Sequence, residues 1–295
     1  LEVELPFSIG HTEIRPISAA MIDSWKNKYF MVNNENQEHA LNFLNKIHEK
    51  FQGYAAAVIS LEAESERVFQ RGIEEAEIAT SILGIYSIGS FSPVNKCTSK
   101  IKGAELIPSA AAIFENGEDI FFSNRYLYQG PLGPWRLNKM EIENMQKHLL
   151  GKISSIQTNK NANSFQLAVL NSMMLYSKSA FTSNPVEKIV YILSSLESIL
   201  LKDKNEFIQQ NLAERIAIFS ADTLERRKEI ILNFKDIYGI RSNYLHHGQS
   251  NTEIEKIKKF MLNVFAFYLT LASHIEIFTT QQDFLTAIED KKLSN

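Results

Sequence analysis

Apolar positions in the C-terminal half of this 295-residue chain recur with the spacing of an α-helix. Pro185 directly follows Asn184, an arrangement that suits the first turn of a helix. These features predict an all-helical domain of roughly 130 residues, a common domain size. Five helical patterns follow one another, at residues 164–179, 185–201, 205–220, 223–237 and 253–278.

The pattern in the N-terminal half is mixed. Residues 1–35 are broken into short apolar runs by Pro6, Gly10 and Pro16, and we expect them to be extended. Helical spacing then appears at 37–51, where Asn36 is a suitable cap. A second helix is predicted from Leu61 to Tyr86.

A hairpin signal follows these helices. Two apolar runs, 110–114 and 120–122, flank Asn116-Gly117, a dipeptide typical of tight β-turns. From Asn138 the chain becomes helical again. The N-terminal half is therefore predicted to be an α+β domain, followed by an all-α helical bundle.

The polar run Q-T-N-K-N-A-N at 157–163 is the strongest candidate for a domain boundary. It divides the chain into an N-terminal α+β domain, residues 1–160, and a helical domain, residues 161–295. No internal repeat is visible in either part.

Composition limits the classes of function. Apolar residues make up 44% and charged residues 22% of the chain, as in globular proteins, and the net charge of −3 argues against a protein covered in basic residues. The single cysteine, Cys97, excludes an intrachain disulfide. No apolar run reaches the length of a transmembrane helix, on the order of 18 residues. We therefore expect no membrane partner and a cytoplasmic location.

The chain carries no recognisable cofactor motif. Both phosphate-binding glycine patterns, G-x-G-x-x-G and G-x-x-x-x-G-K, are absent, and most histidines are scattered without metal-ligand spacing. The glutamates between residues 62 and 77 fit a solvated helix face better than a metal cluster. We expect no metal and no cofactor.

The densest group of reactive side chains is Y-G-I-R-S-N-Y-L-H-H-G, at 238–248. Arg241 is a permanent cation, whereas His246 and His247 can titrate near neutral pH. The histidines follow the arginine by five and six positions, which on a regular helix rotates them by about 140° and 240°. The arginine and a histidine could meet if the segment is a turn at a helix end, or if they come from two subunits.

Three segments of the chain resemble the HEPN (higher eukaryotes and prokaryotes nucleotide-binding) superfamily, in its Apea-like branch. These segments are I-L-S-S-L-E-S-I-L-L at 192–201, N-L-A-E-R-I-A-I-F at 211–219 and I-Y-G-I-R-S-N-Y-L-H-H-G at 237–248. Their order and spacing are similar to those of family members, and the resemblance covers residues 164–280 or so. Residues 1–160 resemble no family that we recognise.

The resemblance implies a bundle of four or five helices that forms a homodimer, with two R-x4-6-H motifs in a shared cleft. Many members are metal-independent endoribonucleases of antiphage or toxin–antitoxin systems, which makes RNA the expected partner. In such a site a histidine moves the proton of the RNA 2′-hydroxyl, and an arginine stabilises charge on the phosphate.

By this resemblance His246 is the catalytic acid or base and Arg241 the phosphate clamp. His247 is either the alternative catalytic histidine or an orienting residue. Asn243 would bind the phosphate or fix a histidine tautomer. Two further residues, Ser242 and Tyr244, are expected to support the site.

Glu197 also belongs to the expected supporting residues. It lies in the middle of an apolar helical pattern, where a carboxylate usually requires a partner. Either Arg215 or Arg241 could be that partner, or Glu197 could lie at the polar rim of the helix. Arg215 itself is expected to be structural.

A second hypothesis comes from a different class. The chain could be a non-catalytic binding or dimerisation module in which the segment 241–248 is structural. In the first hypothesis residues 1–160 form a sensor or regulatory domain that controls access to the cleft and responds to a protein partner or trigger. In the second hypothesis they bind a partner or ligand.

Overall fold

The computed structural model describes residues 1–32, 54–61, 64–99, 110–116, 119–125, 135–202, 206–247 and 253–294, with a few isolated positions between 38 and 49. Numbered along these residues, the helices of the N-terminal part are α1 (Ala19–Val32), α2 (Ser65–Gly84), α3 (Lys139–Lys147) and α4 (Leu149–Thr158). The C-terminal helices are α5 (Ser164–Ser179), α6 (Pro185–Leu200), α7 (Ile208–Ser220), α8 (Leu224–His247), α9 (Ile254–His274) and α10 (Gln281–Leu293).

The strands are short and lie before α3. Strands β2 (Phe7–Ile9), β3 (Thr12–Pro16) and β4 (Ala55–Ile59) form an antiparallel sheet in that order. Strand β1 (Glu2–Val3) pairs in parallel with β7 (Arg136–Leu137). The structure is thus mostly helical with a small N-terminal sheet, which confirms the α+β prediction at that level.

The predicted hairpin is also confirmed. Strands β5 (Ala110–Asn116) and β6 (Asp119–Arg125) pair antiparallel, with Asn116 opposite Asp119. The register leaves two positions for the connection, as expected for a tight hairpin. Those two positions, 117 and 118, lie outside the described residues.

Capping explains why several predicted helices begin where they do. Asn163 and Gln166 form a reciprocal capping box at the start of α5, whose bounds match the predicted 164–179. The Asn184 side chain accepts hydrogen bonds from the first turn of α6, where Pro185 needs no N–H partner. The predicted helix 61–86 is confirmed as α2, whereas the predicted helix 37–51 lies largely outside the described residues.

Two predictions were wrong in extent. Residues 1–35 are not extended throughout, because the Ser18 hydroxyl caps α1 and the helix buries Met21 and Ile22. The pattern predicted to end at residue 237 continues to His247, since tertiary packing outweighs the cost of about 1 kcal/mol for the helical Gly239.

Helix α10 was not predicted at all. Only Phe284, Leu285 and Ile288 of this helix are buried, so its apolar pattern is weak. The available signal was its capping box, in which Thr280 and Asp283 bond each other's backbone N–H.

One hydrophobic core runs through both halves of the chain. It includes Ile9 and Ile14 of the sheet, Ile153 of α4 and Phe165 of α5, and it continues to α10. The boundary near residue 160 stays a prediction, and the core extends across it. Within the described part of the chain, no helix has both the length and the apolar content that a bilayer crossing requires.

A buried lysine ties the two sides of this core together. The Lys188 Nζ on α6 donates to the carbonyl oxygens of Gly89 (2.6 Å) and Ser179 (2.9 Å), and the side chain is fully buried. Gly89 is required here because a Cβ would lie 2.1 Å from the Ala180 carbonyl oxygen. Burial lowers the pKa of Lys188 from 10.5 to about 8.

This shift predicts a pH dependence of stability. Between pH 8 and 10.5 the unfolded chain holds a proton that folded Lys188 has released, so folding stability rises with pH in that window. We expect the unfolding free energy of the wild type, relative to Lys188→Met, to increase by about 1–2 kcal/mol from pH 7.5 to 9.5, since one pKa unit is about 1.4 kcal/mol. Urea denaturation of both proteins measures it, and a pH-independent difference would contradict the burial argument.

Candidate functional site

The arginine–histidine segment is the last part of a continuous helix. Helix α8 is 24 residues long and its backbone stays helical through His247. The alternative in which Arg241 and a histidine meet at a helix-end turn is therefore wrong. Along this helix, positions 246 and 247 are rotated from position 241 by about 140° and 240°.

The three segments that carry the family resemblance lie on neighbouring helices. The first segment lies on α6, the second on α7 and the third on α8, and each of these helices packs against the other two. Buried apolar residues align them, among them Ile192, Leu196, Ile216 and Ile237, each about 0% exposed. The packing brings residues some forty positions apart in sequence into one polar cluster.

That cluster consists of Glu197 on α6 and of Tyr238 and Arg241 on α8. One carboxylate oxygen, Glu197 Oε1, accepts a hydrogen bond from Arg241 Nη1 (3.1 Å) and another from the Tyr238 hydroxyl (3.1 Å). Tyr238 and Arg241 are three positions apart and therefore share a helix face. Of the roles left open for Glu197, the structure shows partnership with Arg241 rather than with Arg215.

The environment of this cluster is half-buried. The side chains of Arg241 and Glu197 are 23% and 24% exposed, so their ion pair is shielded from solvent more than a surface pair is. The guanidinium carbon of Arg241 also lies 5.7 Å from the centroid of the Tyr238 ring, within the range of a cation–π contact. Burial and the neighbouring Glu197 carboxylate raise the pKa of Tyr238, which keeps its hydroxyl protonated as a donor.

Within the described part of the chain, Arg241 has hydrogen-bond donors that no contact uses. A guanidinium has five N–H donors, and the Glu197 bond uses one of them. Its Nε is buried and has no hydrogen-bond partner among the described residues. The arrangement can hold a fixed cation in one orientation, which is the geometry that binding of a phosphate or carboxylate needs.

The other predicted residues of the motif lie further along α8. Ser242 and Asn243 are exposed, and Tyr244 is half-buried. The backbone positions of His246 and His247 belong to the last turn of α8, while their side chains lie outside the described part of the structure. The structure thus unites Arg241 with Glu197 and Tyr238, and it leaves the contact between Arg241 and a histidine a prediction.

A second polar cluster surrounds Arg215 on α7. Its guanidinium binds Glu206 through two hydrogen bonds (2.8 and 2.7 Å) and also donates to the Leu200 carbonyl oxygen (2.5 Å). Glu289 of α10 completes the cluster at 3.4 Å. Arg215, through its side-chain hydrogen bond, lowers the pKa of Glu206. Arg215 therefore braces the end of α6 against α7 and α10.

Sequence reasoning missed Glu206 and Glu289 because both are distant in sequence from the motif and neither belongs to a recognisable pattern. Tyr238 is not among the predicted site residues, although its hydroxyl is part of the cluster. The signal that could have identified it is the i, i+3 spacing to Arg241. Among the described residues, no group of three or more His, Cys, Asp or Glu side chains is arranged to hold a metal ion.

The ion pair between Glu197 and Arg241 predicts measurable energetic coupling. In a double-mutant cycle of Glu197→Gln and Arg241→Met, we expect a coupling free energy of about 1 kcal/mol, because the two side chains are in contact and partly shielded. The exposed i, i+4 pair Lys139–Glu143, at 3.7 Å on α3, is the matched control, for which we expect a smaller coupling of at most about 0.5 kcal/mol. Urea unfolding of the single and double variants of each pair gives both values, and equal coupling in the two cycles would contradict the geometry.

Comparisons of the whole chain with known protein families, with curated proteins and with solved structures found no match. What the chain can do is therefore inferred from its own residues. The feature that carries such an inference is the oriented guanidinium of Arg241 on the helix that also carries His246 and His247.

Proposed function

We propose that the protein is a metal-independent endoribonuclease of the HEPN type. The observation that supports this function is the bond from Arg241 to Glu197, which joins the first and third segments of the family resemblance. A side chain held by a carboxylate and an aromatic ring has fewer conformations to lose when it binds a phosphate. Two histidines follow Arg241 on the same helix, and they supply titratable groups for proton transfer.

The proposed reaction needs only these residue types. One histidine removes the proton of the RNA 2′-hydroxyl, and the 2′-oxygen attacks the adjacent phosphorus. The bond from phosphorus to the 5′-oxygen breaks, and an acidic group returns a proton to that oxygen. The products are a 2′,3′-cyclic phosphate and a 5′-hydroxyl end. Arg241 stabilises the negative charge that builds on the phosphate during the attack.

Helix geometry requires a second copy of the chain in this mechanism. Within one α8, positions 241 and 246 point about 140° apart, so one helix cannot direct both residues at one phosphate. In a homodimer the arginine of one copy and the histidine of the other can face a common cleft. His246 is the proposed acid or base, with His247 as the alternative, and Asn243 and Ser242 extend from the exposed side of α8 toward the RNA.

The test is cleavage of a fluorescently labelled single-stranded RNA in the presence of a chelator. We expect wild-type cleavage to persist in the chelator and to fall at least about 100-fold in Arg241→Ala and in His246→Ala, because proton transfer and charge stabilisation each contribute at least that much. If His247 is the acting residue, the loss moves from His246→Ala to His247→Ala.

Matched controls come from the same chain. Arg226 lies in the first turns of α8 and bonds Glu229 and Asn263, and His148 is exposed and bonds the Asn144 carbonyl oxygen. Arg226→Ala and His148→Ala should retain cleavage. A variant that lacks Arg241, His246 and His247 together yet cleaves like the wild type would refute the proposal.

One observation favours the alternative of a non-catalytic binding or dimerisation module. The Glu197 carboxylate already neutralises part of the charge of Arg241, so the cluster could serve to lock α6 against α8. In that case the wild-type protein forms dimers without cleaving RNA. The only effect of Arg241→Ala is then a lower free energy of unfolding. For either function, we propose that residues 1–160 respond to a partner or trigger and control access to the helical region.

A further inference from the structure

A cavity lies among α7, α9 and α10, and none of its lining residues belongs to the Arg241 cluster. Its volume is about 440 Å³, within the range of pockets that bind small molecules. All of its lining residues belong to the described part of the chain, and they combine three aromatic rings with a few polar groups. Such a combination is typical of ligand pockets rather than of packing defects, which are usually apolar throughout.

Three phenylalanines form most of the apolar part of the wall, together with Ala287 and Ile288. Phe284 is fully buried, and its centroid lies 5.1 Å from that of Phe219 and 5.4 Å from that of Phe278. Both contacts are edge-to-face, so the rings present faces and edges in different directions. A planar aromatic ligand can therefore contact the half-buried Phe219 and Phe278 with the offset or perpendicular geometry that aromatic pairs prefer.

His274 supplies a directed polar group. Its Nδ1 lies 2.8 Å from the Thr270 carbonyl oxygen, which can only accept, so Nδ1 carries a proton. In the neutral tautomer with this proton on Nδ1, Nε2 is an acceptor. The His274 ring is held 5.3 Å from Phe219, which fixes its orientation in the wall. A ligand that fits this group carries an N–H donor.

Two further features limit the charge of the ligand. Lys291 and Asp222 form an ion pair of 3.2 Å in the cavity wall, so the two charges oppose each other. Ser220 Oγ, also in the wall, is buried without a hydrogen-bond partner among the described residues. The wall thus offers hydrogen bonds and aromatic contact with little net charge.

We infer that this cavity binds a small, uncharged, planar nitrogen heterocycle whose ring N–H donates to His274 Nε2. The ring packs against Phe219 and Phe278, which Phe284 supports from behind, and the hydrogen bond selects for the N–H edge. This inference does not depend on the ribonuclease proposal, because the cavity shares no residue with the Arg241 cluster.

Indole and benzofuran test the inference, since they have the same shape and differ by the ring N–H. By titration calorimetry on the full chain, indole should bind saturably, and benzofuran about five- to tenfold more weakly, as one hydrogen bond predicts. His274→Phe keeps an aromatic ring beside Phe219 but removes the acceptor, so the preference for indole should disappear while benzofuran binding is retained.

A second groove provides the matched control. Phe207, which is 83% exposed, lines a separate cavity with Ile208 and Ile231. Phe207→Ala should leave indole binding unchanged, whereas Phe278→Ala should weaken both ligands. The inference is overturned if indole shows no saturable binding, if His274→Phe keeps the preference for indole, or if Phe207→Ala abolishes binding. Circular dichroism confirms that each variant is folded.

Discussion

The burial of α6 is the constraint on which the rest of the structure depends. This helix packs against α5, α7, α8 and α9, and most of its residues are inaccessible to solvent. Every buried polar side chain on such a helix needs a hydrogen-bond partner, because an unpaired buried polar group is costly. Several of its polar contacts therefore also fix a neighbouring segment.

Three of these contacts define the surroundings of α6. The Lys188 amino group donates to the carbonyl oxygens of Gly89 and Ser179. The Ser195 carbonyl oxygen accepts a hydrogen bond from Ser172 of α5. Glu197 receives both Tyr238 and Arg241 from α8. The candidate functional cluster is thus one of several solutions to the same physical problem. The requirement to pair Glu197 gives Arg241 its orientation, whether or not a phosphate binds there.

Sequence patterns predicted those parts of the structure that depend on local interactions. The pair Asn184-Pro185 located the start of α6, and the Asn116-Gly117 dipeptide located the hairpin. The continuation of α8 beyond residue 237 could not be predicted in this way, because packing against other helices overrides the glycine signal. Nor could the bonds from Arg215 to Glu206 and Glu289, whose residues are brought together only by the folded bundle.

The Lys188 amino group has a consequence for how the chain unfolds. Its two acceptors are the carbonyl oxygens of Gly89 and Ser179, and the neighbouring Cys97 N–H donates to the Ala180 carbonyl oxygen. If the segment around residues 88–97 detached alone, a buried amino group and several backbone groups would lose their partners at once. That segment precedes the predicted boundary by more than sixty positions, yet these hydrogen bonds join it to the C-terminal helices. The hydrogen bonds of Lys188 therefore couple residues on both sides of the boundary predicted near residue 160, and that boundary stays a prediction.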